Sequence, residues 1–227
     1  MTAVILQPSY LPWRGYFHLM QRADVFVHYD DVQYTRQDWR NRNRIKTAAG
    51  PAWLTIPVGT DLNRRICDVT LPSSPWQAEH LRRLESSYRD TPFFETYRPL
   101  LRTLYDRPWQ TLSELNQHAI REISALLGIT TTFRDSREMD VGGGRLDRLI
   151  AILQRAGAGV YVSGPAAKSY IDERRFDEAG IALAWKNYDG YPTYPQLHMP
   201  FIHEVTILDL LFHTGPEAPR FIWGWRG

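Results

Sequence analysis

The chain has 227 residues, 43% of them hydrophobic and 23% charged, the composition of a globular protein with a sizeable core. Its 27 Lys and Arg against 25 Asp and Glu leave a formal charge of +2, so no global field points to nucleic acid or an anionic membrane. The single cysteine, Cys67, excludes an internal disulfide, and no run of about 18 apolar residues is present to span a bilayer.

Met1-Thr2-Ala3 runs straight into Val4-Ile5-Leu6 without a basic leader region, so no signal peptide is expected and the default address is the cytoplasm. Residues 4–6 read as a short buried strand. A loop with two prolines follows from Gln7 to Arg14, then a short helix after Gly15 through Phe17, Leu19 and Met20. Val25-Phe26-Val27 is the next strand and ends at Asp30-Asp31. Together these form a β-loop-α-β opening, the usual start of a parallel sheet. Trp53 to Val58 reads as a further strand, with Pro57 placing its end near an edge or bulge.

Apolar spacing then turns helical over Gln77–Tyr88, Phe93–Tyr105 and Leu112–Leu127, with Pro92 as a break and Gly128 as a stop. This section, residues 76–127, predicts a helical insertion that could form a small subdomain. Alternation resumes with strands at Ile129–Arg134, Val160–Ser163 and Ile181–Trp185 and helices at Arg145–Ala156 and Lys168–Ala179. The rhythm predicts one α/β domain, a Rossmann-like and mostly parallel sheet with helices on both faces. The tail from Gly215 to Gly227 is aromatic and glycine-containing, and is expected to wrap the surface.

Aromatic residues make up 13% of the chain, with eight Trp and twelve Tyr, many beside Pro, Gly, Asn or Arg. Such rings can line a pocket or pack a core. The segment Gln7 to His18 leaves a strand's C-terminal end and enters a helix, where ligands bind in parallel sheets. It offers Gln7, Tyr10, Trp13, Arg14 and His18. Asp30 and Asp31, at the next strand end, suit a general base or a Mg²⁺ ligand, with Tyr34 beside them. From Trp39 onward, Arg40, Arg42, Arg44 and Lys46 fall at alternate positions with Asn41 and Asn43 between. In a strand they form a basic stripe for an anionic substrate, or a solvated edge that discourages aggregation.

Gly142-Gly143-Gly144 precedes a helix and reads either as a phosphate cradle or as a flexible loop. Ser163 and Gly164 close another strand, with Tyr170 beyond, and Ser163 lacks the G-x-S-x-G context of a nucleophile. Tyr188 to Gln196, with Tyr191, Tyr194 and Gln196, is an aromatic–proline loop able to close over a ligand. The seven histidines show no H-x₃-H or H-E-x-x-H spacing, so no metal site other than one for Mg²⁺ is expected.

In this order, QPSYLPWRGYF, AD-VFVHYDDVQY, W-RNRNRIK, WLTIPV, RLDRLI, YVSG, Y-PTYPQ and TILDLLF resemble the WbqC-like family over nearly the whole chain. His213 stands where the pattern expects Asn, and the three glycines precede RLDRLI. The resemblance implies N-acyl or aminoacyl transfer to an amino sugar or other amine, in glycan or specialised-metabolite biosynthesis.

Three readings follow. The first is an amide-forming transferase with Asp30 or Asp31 as base, Gln7, Tyr10 and Asn43 orienting the amine, and Arg14, Arg40 and Arg42 binding anionic groups. The second is a ligase or nucleotidyl transferase that needs ATP and Mg²⁺. The third is a non-enzymatic module that binds an acyl carrier protein or RNA, for which the small net charge is unfavourable. An anionic or amine small molecule is the expected partner, rather than nucleic acid or membrane.

Overall fold

A computed structural model describes residues 1–225. Its centre is a five-stranded sheet of β1 (Thr2–Leu6), β2 (Val25–His28), β5 (Thr132–Asp135), β6 (Val160–Ser163) and β7 (Ala182–Trp185). The order is β5-β2-β1-β6-β7 and every pairing is parallel. Ala3, Val4 and Ile5 are buried on both faces of the central strand, which is why β1 reads as an unbroken apolar run.

Side-chain alternation divides the core in two. Val4 and Phe26 point to a large cluster built with α1 (Arg14–Met20), α2 (Trp76–Tyr88), α3 (Phe94–Tyr105), α4 (Leu112–Leu126) and α7 (Ile207–Thr214). Ala3, Ile5, Val25, Val27 and Tyr161 point to a second cluster with Leu149, Ile152 and Leu153 of α5 (Arg145–Arg155) and Phe176 of α6 (Glu173–Glu178). Helices therefore cover both faces. The three helices of the middle section share the core of α1 and α7.

The segment between β2 and β5 also carries an antiparallel hairpin, β3 (Arg42–Thr47) and β4 (Gly50–Thr55), which forms its own two-stranded sheet. The strand expected at 53–58 is thus β4, and Pro57 lies beyond its end. The helix expected over Lys168–Ala179 is split into a 3₁₀ turn at Pro165–Ser169 and α6, because Asp172 accepts from the Arg174 N–H and starts a new helix. α4 begins with a capping box between Thr111 and Glu114. The C-terminal segment enters the core rather than wrapping it, with Ala218 and Ile222 fully buried. The last two positions of that segment lie outside the described residues. Among the described residues, no helix is long and apolar enough to cross a membrane.

Candidate functional site

Chain progression runs outward from β1 through β2 to β5 on one side and through β6 to β7 on the other. The order therefore reverses between β1 and β6, and ligands of such sheets sit at the strands' C-terminal ends near that point. Gln7, Asp30, Asp135 and Ser163 all stand at this edge, each at or just past the end of its strand.

Asp30 is fully buried. Its Oδ2 accepts a hydrogen bond from Ser113 Oγ and another from Gln117 Nε2 at 3.0 Å. Among the described residues Oδ1 has no hydrogen-bond partner, and it lies 3.4 Å from Arg137 Nε in an ion pair. Gln117 also donates to Asp135 Oδ2 at 3.0 Å, and Arg121 donates to Gln117 Oε1 at 3.0 Å, which turns the amide N–H₂ toward both carboxylates. Arg137 donates to both oxygens of Asp135 through Nε, at 2.9 and 3.0 Å.

The two acids are driven apart. Burial and the negative charge of Asp135 hold the Asp30 carboxyl above its ordinary value, against the pull of Ser113, Arg137 and Gln117. Asp135 is also pushed up by burial, but the bonds from Arg137 and Gln117 outweigh that and hold it below. A neighbouring pair split in this way provides one poised base and one permanent anion. Arg137, with about half of its side chain exposed, is the cover between them and solvent.

Asp31 faces away from Asp30. Its carboxylate is held by Arg148 and by Ser136 Oγ at 2.6 Å. The adjacent acids therefore do not form a shared metal pocket, and among the described residues no group of three or more His, Cys, Asp or Glu could hold a metal ion. Cys67, whose N–H donates to the Asp30 carbonyl at 2.9 Å, has its thiol pushed up to about 11 by burial and the nearby acids. It is no thiolate nucleophile at neutral pH.

The loop after β1 is largely committed to the fold. Tyr10 is buried, with its hydroxyl hydrogen-bonded to His80 Nδ1 at 2.8 Å and to Tyr105 Oη. Asn43 Nδ2 donates to the Leu11 carbonyl at 2.6 Å and pins the loop where Leu11 takes a φ of 44°. Both side chains, which the sequence suggested for orienting an amine, make these bonds within the fold. Arg14 is buried too. It donates to the Pro192 and Phe221 carbonyls at 2.9 and 3.2 Å and lies 4.6 Å from the Tyr191 ring, so it fastens the aromatic–proline loop instead of binding a ligand anion. His18 Nδ1 meets Tyr191 Oη at 2.7 Å in the same buried layer. Trp13 packs edge-on to Tyr188 and Tyr191 and is half-buried.

Tyr194 and Gln196 serve Asp209. Its buried carboxylate accepts from Tyr194 Oη at 2.7 Å, Gln196 Nε2 at 2.9 Å and Tyr88 Oη at 3.0 Å. The aromatic–proline loop is thus anchored at Tyr194 and Gln196.

The basic stripe is broken up. Arg40 tucks under the loop, donating to Gln7 Oε1 and to Ser9 Oγ and pairing with Asp38 at 3.3 Å. Lys46 is buried, with its ammonium donating to the Pro200 carbonyl. Arg42 stays half-buried at 4.2 Å from the exposed Trp53 ring, which also meets exposed Trp39 at 5.6 Å. Asn41 Nδ2 donates to the Ile56 carbonyl at 2.9 Å. Tyr34, Asn41 and Arg42 line one cavity of about 270 Å³ on the hairpin side.

Across the sheet, Ser163 Oγ donates to Tyr161 Oη at 3.3 Å, and Gly164 leaves room for Tyr188, whose hydroxyl would be 3.4 Å from an added Cβ. Tyr170 is exposed with Arg145 stacked on it at 3.6 Å. The triple glycine is no open cradle: Asp147 folds back over it, its Cβ 3.0 Å from where a side chain on Gly143 would start.

Asp135, Ser113, Gln117 and Arg137 escaped the sequence reading. Asp135 falls one residue past the strand expected to end at Arg134, so the strand-end rule that found Asp30 would have found it as well. Ser113 and Gln117 stand at i and i+4 on the buried face of an amphipathic helix, where uncharged polar residues need a partner.

Residues 7–221 match the WbqC-like protein family. The chain is 43% identical over 221 residues to the uncharacterized protein Rv1507c of Mycobacterium tuberculosis (strain ATCC 25618 / H37Rv), with 96% of each chain covered. No solved structure matches it significantly.

Proposed function

The chain belongs to the WbqC-like protein family, and from the geometry of its sheet edge we propose that it is an amide-forming transferase, with Asp30 as the base that frees an amine. One observation carries this reading: a buried carboxylate with a raised pKa and one oxygen that, among the described residues, takes no hydrogen bond and meets only the Arg137 cation, beside a second acid held ionised by arginine. An amine is protonated at neutral pH and cannot attack until it loses a proton. A carboxylate raised toward the working pH accepts that proton better than an ordinary surface acid.

In the proposed step the amine nitrogen attacks the carbonyl carbon of an activated acyl donor, a thioester or an ester. The ammonium first gives one proton to Asp30 Oδ1, which passes it to solvent; the freed amine then forms the C–N bond, a second proton passes from nitrogen to Asp30 Oδ1, and the C–S or C–O bond breaks. The leaving group then takes up the proton from Asp30. Arg137 reaches both Asp30 Oδ1 and Asp135, so an ammonium substrate entering there takes up the cation's place between the two carboxylates. The ligase reading needs a phosphate cradle at a helix start. Asp147 stands over the start of α5 and the first turn of α1 is buried, so no observation favours it.

The test pairs amino-sugar nucleotides and amino acids with acyl-coenzyme A and acyl-carrier thioesters, and reads new amides by mass spectrometry. Asp30→Asn should lower the rate about 100-fold or more while leaving the protein folded. With pH, activity should rise through the raised pKa of Asp30 and that limb should vanish in the variant. No amide from any pairing, or an Asp30→Asn variant as active as the parent, would sink the proposal. Amide formation only with ATP would transfer it to the ligases.

A further inference from the structure

The cavity beside the hairpin has features that amide chemistry at Asp30 does not use. It is lined by Tyr34, Arg36, Asn41, Arg42 and the turn from Thr55 to Thr60, and no carboxylate is among its walls. Arg36 is exposed and Arg42 half-buried, so two permanent cations face one concave space. Arg64 stands behind the wall, donating to the Val58 carbonyl and lying 5.4 Å from the Tyr34 ring.

Asn41 supplies an independent sign of a ligand. It is 94% buried, since only 6% of its surface is exposed, and among the described residues its Oδ1 has no hydrogen-bond partner while Nδ2 is spent on Ile56. A buried acceptor left alone is costly, and a donor group arriving in the cavity would satisfy it. A molecule suited to the cavity therefore carries an anion for the arginines and a hydroxyl or amino donor for Asn41.

The rim adds a third requirement. Arg42 pairs with Thr55 across the hairpin and Arg44 with Trp53, so Trp53 lies two residues along β4 from Thr55, on the same face. Exposed Trp39 sits beside Trp53 and extends this face with a second indole. Aromatic platforms beside cationic pockets hold rings, whether sugar or base.

We propose that this cavity binds a phosphate monoester carrying a ring, with the phosphate on Arg36 and Arg42, a hydroxyl or amino donor on Asn41, and the ring against Trp39. A cavity of about 270 Å³ lies at the small end of ligand pockets, which fits the phosphate and its linkage while the ring rests on the rim. The inference stands apart from the amide chemistry, because it concerns binding alone.

Tryptophan fluorescence and calorimetry on the full chain test it with four probes: inorganic phosphate, glucosamine, glucosamine 6-phosphate and uridine 5′-monophosphate. At least one of the two ring phosphates should bind, and more tightly than inorganic phosphate or glucosamine. Binding of the sugar phosphate alone identifies a sugar ring, and of the nucleotide alone a base; either upholds the proposal. Arg36 is exposed and has no hydrogen bond or ion pair among the described residues, so Arg36→Glu should stay folded and weaken the ring phosphates at least tenfold. Trp39→Ala should weaken them while leaving inorganic phosphate unchanged. Failure of both ring phosphates to bind, equal binding of glucosamine and its 6-phosphate, or undiminished binding in Arg36→Glu overturns the assignment.

Discussion

Acidification should weaken this fold before most of its carboxylates titrate, because two imidazoles are buried in neutral form. His28 is fully buried at the end of β2, stacked on Phe133 at 5.4 Å and edge-on to Phe26 at 5.1 Å. Burial, reinforced by the charge of Arg121, takes its pKa from 6.5 down to about 3. His80 is buried beside Tyr10 and Trp76, and burial takes it to about 4. Both are depressed in the folded state, so the unfolded chain binds more protons between the ordinary value and these lower ones. The stability they contribute is complete above 6.5 and drains away as pH falls toward the folded values. Near pH 5 each histidine has lost about 2 kcal/mol, together about 4 kcal/mol, a large part of a typical stability of 5–15 kcal/mol. Asp30, raised in the fold, acts in the opposite direction and recovers a fraction of this on protonation. Urea denaturation at neutral pH and near pH 5 measures the difference. His28→Phe keeps an aromatic ring between Phe26 and Phe133 but has no proton to take up, so it should remove about half of the acid loss. Equal urea midpoints at the two pH values, or an unchanged pH dependence in His28→Phe, would refute the reasoning.

Gly15→Ala should destabilise by about 1–3 kcal/mol, because the new Cβ would begin 2.2 Å from the Trp13 indole; an unchanged melting temperature would show that the indole is free to swing away. Asp209→Asn should cost about 2–4 kcal/mol by leaving a buried hydroxyl or amide without its acceptor, and proteolysis should then speed up in the Tyr188–Gln196 loop. Cys67 should alkylate slowly at neutral pH, since its thiol is held near 11, and faster only as the pH approaches that value; rapid neutral labelling would contradict its burial beside Asp30.

Much of the frame was legible because the parallel sheet depends on local signals. Apolar runs at 4–6 and 160–163, glycine stops, and the period of the three middle helices each mark an element without knowledge of its neighbours. Alternation alone could not say that Arg42–Thr47 pairs with Gly50–Thr55 in a separate hairpin, since register depends on partners brought together by the turn. The helix Ile207–Thr214 is short and buried on nearly every side, its Asp209 included, so no polar face marks it in the sequence. At the site, Asp30 could be found from its strand end. Its partners on α4 and after β5 are more than eighty residues away in sequence, and only the folded sheet shows which polar groups face it.

The strongest motif and the proposed chemistry fall on different residues, and the hydrogen bonds give the reason. From Gln7 to His18 and from Arg40 to Lys46, polar side chains mostly bond to main-chain carbonyls or to one another: Arg14 to Pro192 and Phe221, Asn41 to Ile56, Asn43 to Leu11, Arg40 to Gln7. A proline-rich loop at a parallel-strand end has few ladder partners of its own, so side chains must satisfy its carbonyls, and each such position tolerates few residue types. A dense polar motif then records how a loop is held. Among the buried atoms that those bonds leave without a hydrogen bond are Asp30 Oδ1, under Arg137, and Asn41 Oδ1 in its cationic cavity. Asp30 Oδ1, beside its arginine, and Asn41 Oδ1, beneath an aromatic rim, are buried acceptors at separate places, and each is where the proposed chemistry and the proposed ligand bring a donor from outside.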